Sequence, residues 1–173
     1  MSTAPLVFAS VGTDHHPFDR LVTWMEELVT VMPDLSVFVQ HGRSRRPGRG
    51  VDSAPILPYP ELQRLVATAA VVVTHGGPAT IMDVRAAGRV PIVVPRRPDL
   101  GEHVDEHQVL FARRIAREGH IRLAEDRDVF GREVESMLLE PVRPDPVTSD
   151  VERAVSRFVE LVTDLESRRA VRI

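Results

Sequence analysis

Apolar residues fall into two alternating rhythms along this chain. Short, continuous apolar runs occur at 6–11, 35–40, 54–59, 71–74, 90–95 and 120–123. Such runs, rich in valine and isoleucine and bounded by turn residues, read as buried strands. Between them, apolar residues recur at three- and four-residue steps over 18–32, 60–69, 79–87, 102–119 and 126–139, which predicts amphipathic helices. Strand and helix alternate throughout. The pattern therefore predicts an α/β fold, a Rossmann-like parallel sheet of about six strands with helices on both faces. Residues 1–140 form that domain in this reading. Residues 141–173 form a proline-rich linker, 141–146, and a C-terminal helix whose apolar stripe runs through Val151, Val155, Phe158, Val162 and Leu165.

One stretch carries more information than the rest. Val71-Val72-Val73-Thr74 ends in His75-Gly76-Gly77, then Pro78-Ala79-Thr80 opens a helix that Gly88 stops. Glycines permit a tight turn and close approach of a ligand to the backbone. Proline suits the first helical position because its missing N–H is not needed there. Strand, glycine turn and helix N-terminus together make an anion site of free N–H groups and helix dipole. The stretch matches neither a Walker A loop nor a full GxGxxG, so an ordinary βα turn remains open at this point.

Two further polar segments leave strand ends. One is Gly12-Thr13-Asp14-His15-His16 and the other runs from Arg96 to Gln108. In a parallel sheet, ligands bind beyond the carboxyl ends of the strands. The three loops can converge there on a nucleoside diphosphate carrying a polyhydroxyl group. Glycine turns and a helix N-terminus would hold the phosphates, and Glu102, Asp105 and Gln108 would take hydroxyls. Asp14, His15 and His16 are the candidates for proton transfer, with a solvent-exposed loop as the other reading. Glu102, His103, Glu106 and His107 are read as opening the helix and sharing its faces in part. His103-x-x-x-His107 lacks the zincin glutamate, and no metal or cofactor is expected.

Composition narrows the classes. The chain has 173 residues, a net charge of −3 and no cysteine, which excludes disulfides and thiolate metal sites. All 22 basic residues are arginines, so lysine chemistry is excluded. No global basic field points to nucleic acid. The Gly-Arg-Ser-Arg-Arg-Pro-Gly-Arg-Gly segment at 42–50 reads as a flexible, solvated basic loop, able to meet a phosphate, an anionic lipid surface or an acidic partner. No long apolar run and no signal-peptide plan stand out, so the expected location is cytoplasmic.

His75-Gly76-Gly77-Pro78-Ala79-Thr80, Pro91-Ile92-Val93-Val94-Pro95, Gly101-Glu102-His103 and Asp105-Glu106-His107-Gln108 occur in an order and spacing that resembles the C-terminal domain of glycosyltransferase family 28. Val11-Gly12-Thr13 followed by Pro17-Phe18-Asp19-Arg20-Leu21-Val22 adds to the likeness, which covers roughly residues 5–140. That domain is the nucleotide-sugar half of a GT-B enzyme. The short length is similar to the catalytic subunits of split enzymes in the dolichol pathway and in bacterial exopolysaccharide synthesis.

The resemblance implies a single C-terminal-type GT-B domain that binds a UDP-sugar as donor substrate. A membrane-anchored subunit would supply the acceptor half, and the sugar would pass to a lipid-linked acceptor. The chain would then be a hexosyltransferase active only with its partner, held at the inner face of the membrane. Gly12 and Thr13 belong to the matching opening motif of the binding cleft. Gly76, Gly77 and Thr80 would meet the diphosphate, with His75 beside it. Glu102 would hold the ribose, and Asp105, His107 and Gln108 would contact the sugar. Pro78 departs from the small residue often found there. A non-catalytic nucleotide-sugar-binding or scaffold protein is the alternative. A sugar-nucleotide epimerase shares the architecture but needs both halves.

Overall fold

The structure is a computed structural model, and it describes residues 4–140. The expected linker at 141–146 and helix at 151–169 lie outside the described residues.

Alternation within each strand builds the core on both sides of the sheet. In β1 (Leu6–Ser10), Val7 and Ala9 face one side and Phe8 the other; in β4 (Val71–His75), Val71 and Val73 oppose Val72. On the first face these residues pack with α1 (Asp19–Val31), through Leu21, Val22, Met25 and Leu28, and with α5 (Arg127–Leu139), through Phe130, Val134 and Met137. On the second face, Phe8 and Val72 meet Leu65 and Val66 of α2 (Tyr59–Thr68) and Val84 of α3 (Pro78–Ala86). Val93 of β5 (Ile92–Val94) packs with Ile81 of α3 and Ala112 of α4 (His107–Arg117). Strands buried on both faces are what near-continuous apolar runs predict.

Six parallel strands complete the sheet in the order β3-β2-β1-β4-β5-β6, with β2 at Ser36–Gln40, β3 at Asp52–Ala54 and β6 at Arg122–Leu123. Strand order reverses between β1 and β4. That switch point leaves a crevice at the carboxyl ends of the two strands.

Three local expectations need correction. The third strand is Asp52–Ala54, not 54–59: it pairs with β2 from Phe38↔Asp52 to Gln40↔Ala54, and the chain leaves the sheet at Pro55. Pro55 and Pro58 have no N–H to give a ladder. The helix read from Glu102 begins only at His107, after a short 3-10 turn at Pro98–Leu100. Glu102 and His103 therefore share no helix face with Glu106 and His107. The segment 42–50 is not a free loop. Glu26 forms an ion pair with Arg45 and accepts the Gly48 N–H (2.7 Å), Asp19 Oδ1 accepts the Arg45 N–H (2.9 Å), and Ser44 Oγ accepts the Phe18 N–H (2.7 Å). These acids sit on α1, and charge counting along the loop alone does not reveal them.

Candidate functional site

A cavity of about 320 Å³ opens at the switch point. Its floor is made of strand ends: Ser10 of β1, Gln40 of β2 and His75 of β4. Gly12 and Thr13 border it on one side. Gly77, Pro78, Ala79 and Thr80, the start of α3, border it on another. Ile56 and Leu57, from the segment between β3 and α2, and Leu62 of α2 form an apolar wall.

The start of α3 is built as the sequence predicts. Gly77 is the N-cap residue and Pro78 begins the helix. The first bond within the helix runs from Ile81 N–H to Gly77 O (3.2 Å), so the Ala79 and Thr80 amides precede it and are free to face the cavity.

His75 sits between two glycines. A Cβ on Gly12 would lie 2.7 Å from its Cε1 and Nε2, and a Cβ on Gly77 would lie 2.8 Å from its Cδ2. Gly12 also has φ +83°, a left-handed conformation that favours glycine. The imidazole is pushed down to about 4, first by desolvation and then by the Arg96 guanidinium, against opposing contributions from the Ser10 carbonyl and Asp14. At neutral pH it is an uncharged ring in the cavity floor.

Gln40 joins three strand ends. Its Oε1 accepts from Ser10 Oγ (2.8 Å), and its Nε2 donates to Gly12 O (3.2 Å) and Pro55 O (2.8 Å). Neither Gln40 nor Ser10 was among the sequence candidates. The available signal was a polar residue closing an otherwise apolar strand.

The Arg96–Gln108 segment is anchored by buried polar contacts. Arg96 is only 1% exposed. Its Nη1 donates to His16 O (2.7 Å) and Glu102 O (3.0 Å), and its Nη2 donates to Val11 O (2.7 Å). The guanidinium lies 4.9 Å from the Phe18 ring centroid. One buried arginine thus ties the loop after β1 to the loop after β5. Glu102 is 5% exposed, and its carboxylate faces inward. It accepts from Arg20 Nε (2.8 Å), Arg20 Nη2 (2.7 Å) and the Arg97 N–H (2.9 Å). Glu102 is therefore a loop anchor in this structure, and it does not border the cavity. Its placement gives no support to the ribose role that the resemblance implied. Asp105, His107 and Gln108 also lie off the cavity lining. Gln108 packs over Gly76, where a Cβ would come 2.8 Å from the Gln108 Cβ, and its buried Oε1 has no hydrogen-bond partner among the described residues.

Asp14, His15 and His16 do come together. Asp14 Oδ1 accepts the His16 backbone N–H (2.8 Å) and lies 2.7 Å from His16 Nδ1. Desolvation would raise the Asp14 carboxyl, but the His16 backbone and ring, then Arg96, bring it down to about 2. His103 Nε2 is 3.9 Å from Asp14 Oδ2, and Asp105 lies between His103 (3.2 Å) and His107 (3.0 Å). One ligand-capable atom of each of Asp14, His15 and His16 lies within 4.8 Å of the others, a metal-like spacing that the sequence did not predict. Asp126-Arg127-Asp128 reads as Asp-x-Asp, but Asp126 caps α5 by accepting the Val129 N–H (2.8 Å).

Among the described residues, no helix is long and apolar enough to cross a membrane. Curated proteins give no significant match by sequence. Solved structures share the fold at low identity. The glycosyltransferase of kitacinnamycin is 20% identical with a TM-score of 0.61, over 79% of this chain and 35% of that one. MurG from Acinetobacter baumannii is 17% identical with a TM-score of 0.56, over 80% of this chain and 42% of that one. The UDP-GlcNAc 2-epimerase from Methanocaldococcus jannaschii is 12% identical with a TM-score of 0.53, over 92% of this chain and 46% of that one. The chain thus spans less than half the length of each of these three proteins. The family profile of the glycosyltransferase family 28 C-terminal domain matches residues 14–161, most of the chain, and the protein belongs to that family.

Proposed function

We propose that this chain is the donor-binding, catalytic half of a split glycosyltransferase. Its substrate is a UDP-sugar, and the acceptor is lipid-linked and held by a separate membrane-anchored subunit. The product would enter polysaccharide or exopolysaccharide synthesis. The observation that carries the reading is the cavity at the β1/β4 switch point. It joins a helix N-terminus and two glycine turns to an apolar wall of Ile56, Leu57 and Leu62. Free amides and a helix dipole suit a diphosphate, and the apolar wall suits one face of a nucleobase.

In this reading the acceptor oxygen attacks the anomeric carbon, and the bond to the diphosphate oxygen breaks. The electron pair stays on UDP. The Ala79 and Thr80 amides at the start of α3 stabilise the charge that develops there. His75, neutral in the cavity floor, contributes hydrogen bonding and shape without a second cation.

Calorimetry on the full chain with UDP, UMP and uridine tests the donor site. UDP should bind at least about tenfold more tightly than uridine, a diphosphate contribution of about 1.4 kcal/mol or more. Equal affinities would overturn the site. Co-purification with a membrane protein and sugar transfer by the complex separate the enzyme from the scaffold alternative, which requires UDP binding without transfer.

A further inference from the structure

Resting on that donor-site reading, we propose that this chain also supplies the general base of the transfer, His16 Nε2, held in place by Asp14.

The geometry is that of a carboxylate–imidazole pair. Asp14 Oδ1 lies 2.7 Å from His16 Nδ1 and also accepts the His16 backbone N–H at 2.8 Å, so the loop folds back and fixes the ring on its own carboxylate. An ionised carboxylate at that distance makes Nδ1 the protonated nitrogen and leaves the lone pair on Nε2. Among the described residues, Nε2 has no hydrogen-bond partner. The carbonyl of His16 is held from the other side by the buried Arg96 (2.7 Å), so backbone and ring are both fixed. The side chain remains 22% exposed.

Asp14 and His16 do not line the cavity themselves; they follow Gly12 and Thr13, which border it, directly on the same loop. The charged and titratable groups around the His16 ring are Asp14, His15 with ring centroids 3.9 Å apart, His103 with centroids 6.2 Å apart, and Arg96 at its carbonyl. Asp14 makes the only close polar contact with the ring among them, which sets the tautomer.

The step balances without a further reactant. The acceptor hydroxyl gives its proton to His16 Nε2 as its oxygen bonds to the anomeric carbon. The anomeric bond to the diphosphate breaks, and the leaving pair remains on UDP. His16 ends as imidazolium beside the Asp14 carboxylate and returns its proton to solvent.

The tautomer is measured first, on the full chain, by long-range nitrogen–proton NMR. His16 should be the Nδ1–H form in the wild type and lose that preference in Asp14→Asn. An Nε2–H wild-type ring overturns the proposal. Transfer is then followed from labelled UDP-glucose, UDP-galactose and UDP-N-acetylglucosamine in membranes of the producing organism. His16→Ala should bind UDP as the wild type does and lose about 100-fold or more in transfer. Imidazole in the buffer should restore part of that loss, which a structural role would not allow. A His16→Ala protein that binds UDP and keeps a tenth or more of its transfer sinks the assignment. So does a wild-type chain that binds UDP and transfers none of the three sugars. Failure of the wild type to bind UDP would sink the donor-site reading instead, and the base with it.

Discussion

The imidazole of His75 occupies the space that a side chain on Gly77 would need. A Cβ there would overlap Nε2 and lie 2.8 Å from Cδ2. Gly77→Ala should therefore displace His75 from the cavity floor. We expect a destabilisation of about 1–3 kcal/mol, typical of overpacking, and weaker UDP binding. Removing the ring relieves the clash. His75→Ala with Gly77→Ala should then be more stable than the sum of the single variants by about 1 kcal/mol or more. Strict additivity in urea unfolding would show that the ring and the glycine do not compete.

The Glu102–Arg20 pair makes a second prediction. Glu102→Ala leaves the Arg20 guanidinium, stacked 5.1 Å from Phe18 and 4.8 Å from Trp24, without its carboxylate. Arg20 is half-buried and keeps its bond to Pro95 O, so losing the carboxylate should cost about 1–3 kcal/mol and lower Tm by about 3–10 °C. Protein still folded at low temperature should keep its UDP affinity within about threefold, since Glu102 does not border the cavity. A selective loss of UDP over a 2′,3′-dideoxy analogue, with Tm unchanged, would instead support the ribose role that the resemblance implies.

Acid should unfold the protein in two windows, and the signs differ in origin. The His75 pKa is depressed from 6.5 to about 4, so below pH 6.5 the unfolded chain binds a proton that the folded ring does not. Stability is lost as pH falls from 6.5 towards 4, by about 2–3 kcal/mol. Asp14 is depressed from 3.8 to about 2, so its contribution is full above 3.8 and is lost as pH falls through 2. In His75→Gln the upper window should disappear while the lower one remains. Unchanged urea midpoints between pH 6.5 and 4 in the wild type would contradict the uncharged ring in the cavity floor.

Most of the architecture was legible because burial on both faces leaves a direct trace in sequence. Valine runs such as Val71–Val73 are hard to read as anything other than inner strands, and the His75–Thr80 turn announces a helix start. In the segment after β5, the burial of Arg96 and Glu102 was not legible, because their partners Val11, His16 and Arg20 lie some 80 positions away. Long-range pairing leaves no local pattern. The same holds for Gln40, whose task is fixed by Ser10 of β1 and by Gly12 and Pro55, just past the ends of β1 and β3. The loop at 42–50 carries its charge openly, yet its order depends on Asp19 and Glu26 of α1.

Gln108 gives the last prediction, and it bears on the sugar. Its Oε1 is buried without a partner among the described residues, and its Cβ packs where Gly76 has no side chain. An unsatisfied buried acceptor costs about 1–3 kcal/mol. A methionine of similar shape removes that cost, so Gln108→Met should raise stability by about 1 kcal/mol. The family likeness implies that Gln108 contacts the transferred sugar. If it does, the orphaned oxygen is held ready for a sugar hydroxyl, and the variant should bind UDP normally while binding a UDP-sugar less tightly. Calorimetry with UDP and with UDP-N-acetylglucosamine, beside urea unfolding of the same protein, separates the two effects. Higher stability with both affinities unchanged would make Gln108 a packing residue. Lower stability would mean that Oε1 has a partner in solution, and the sugar contact would lose its structural support.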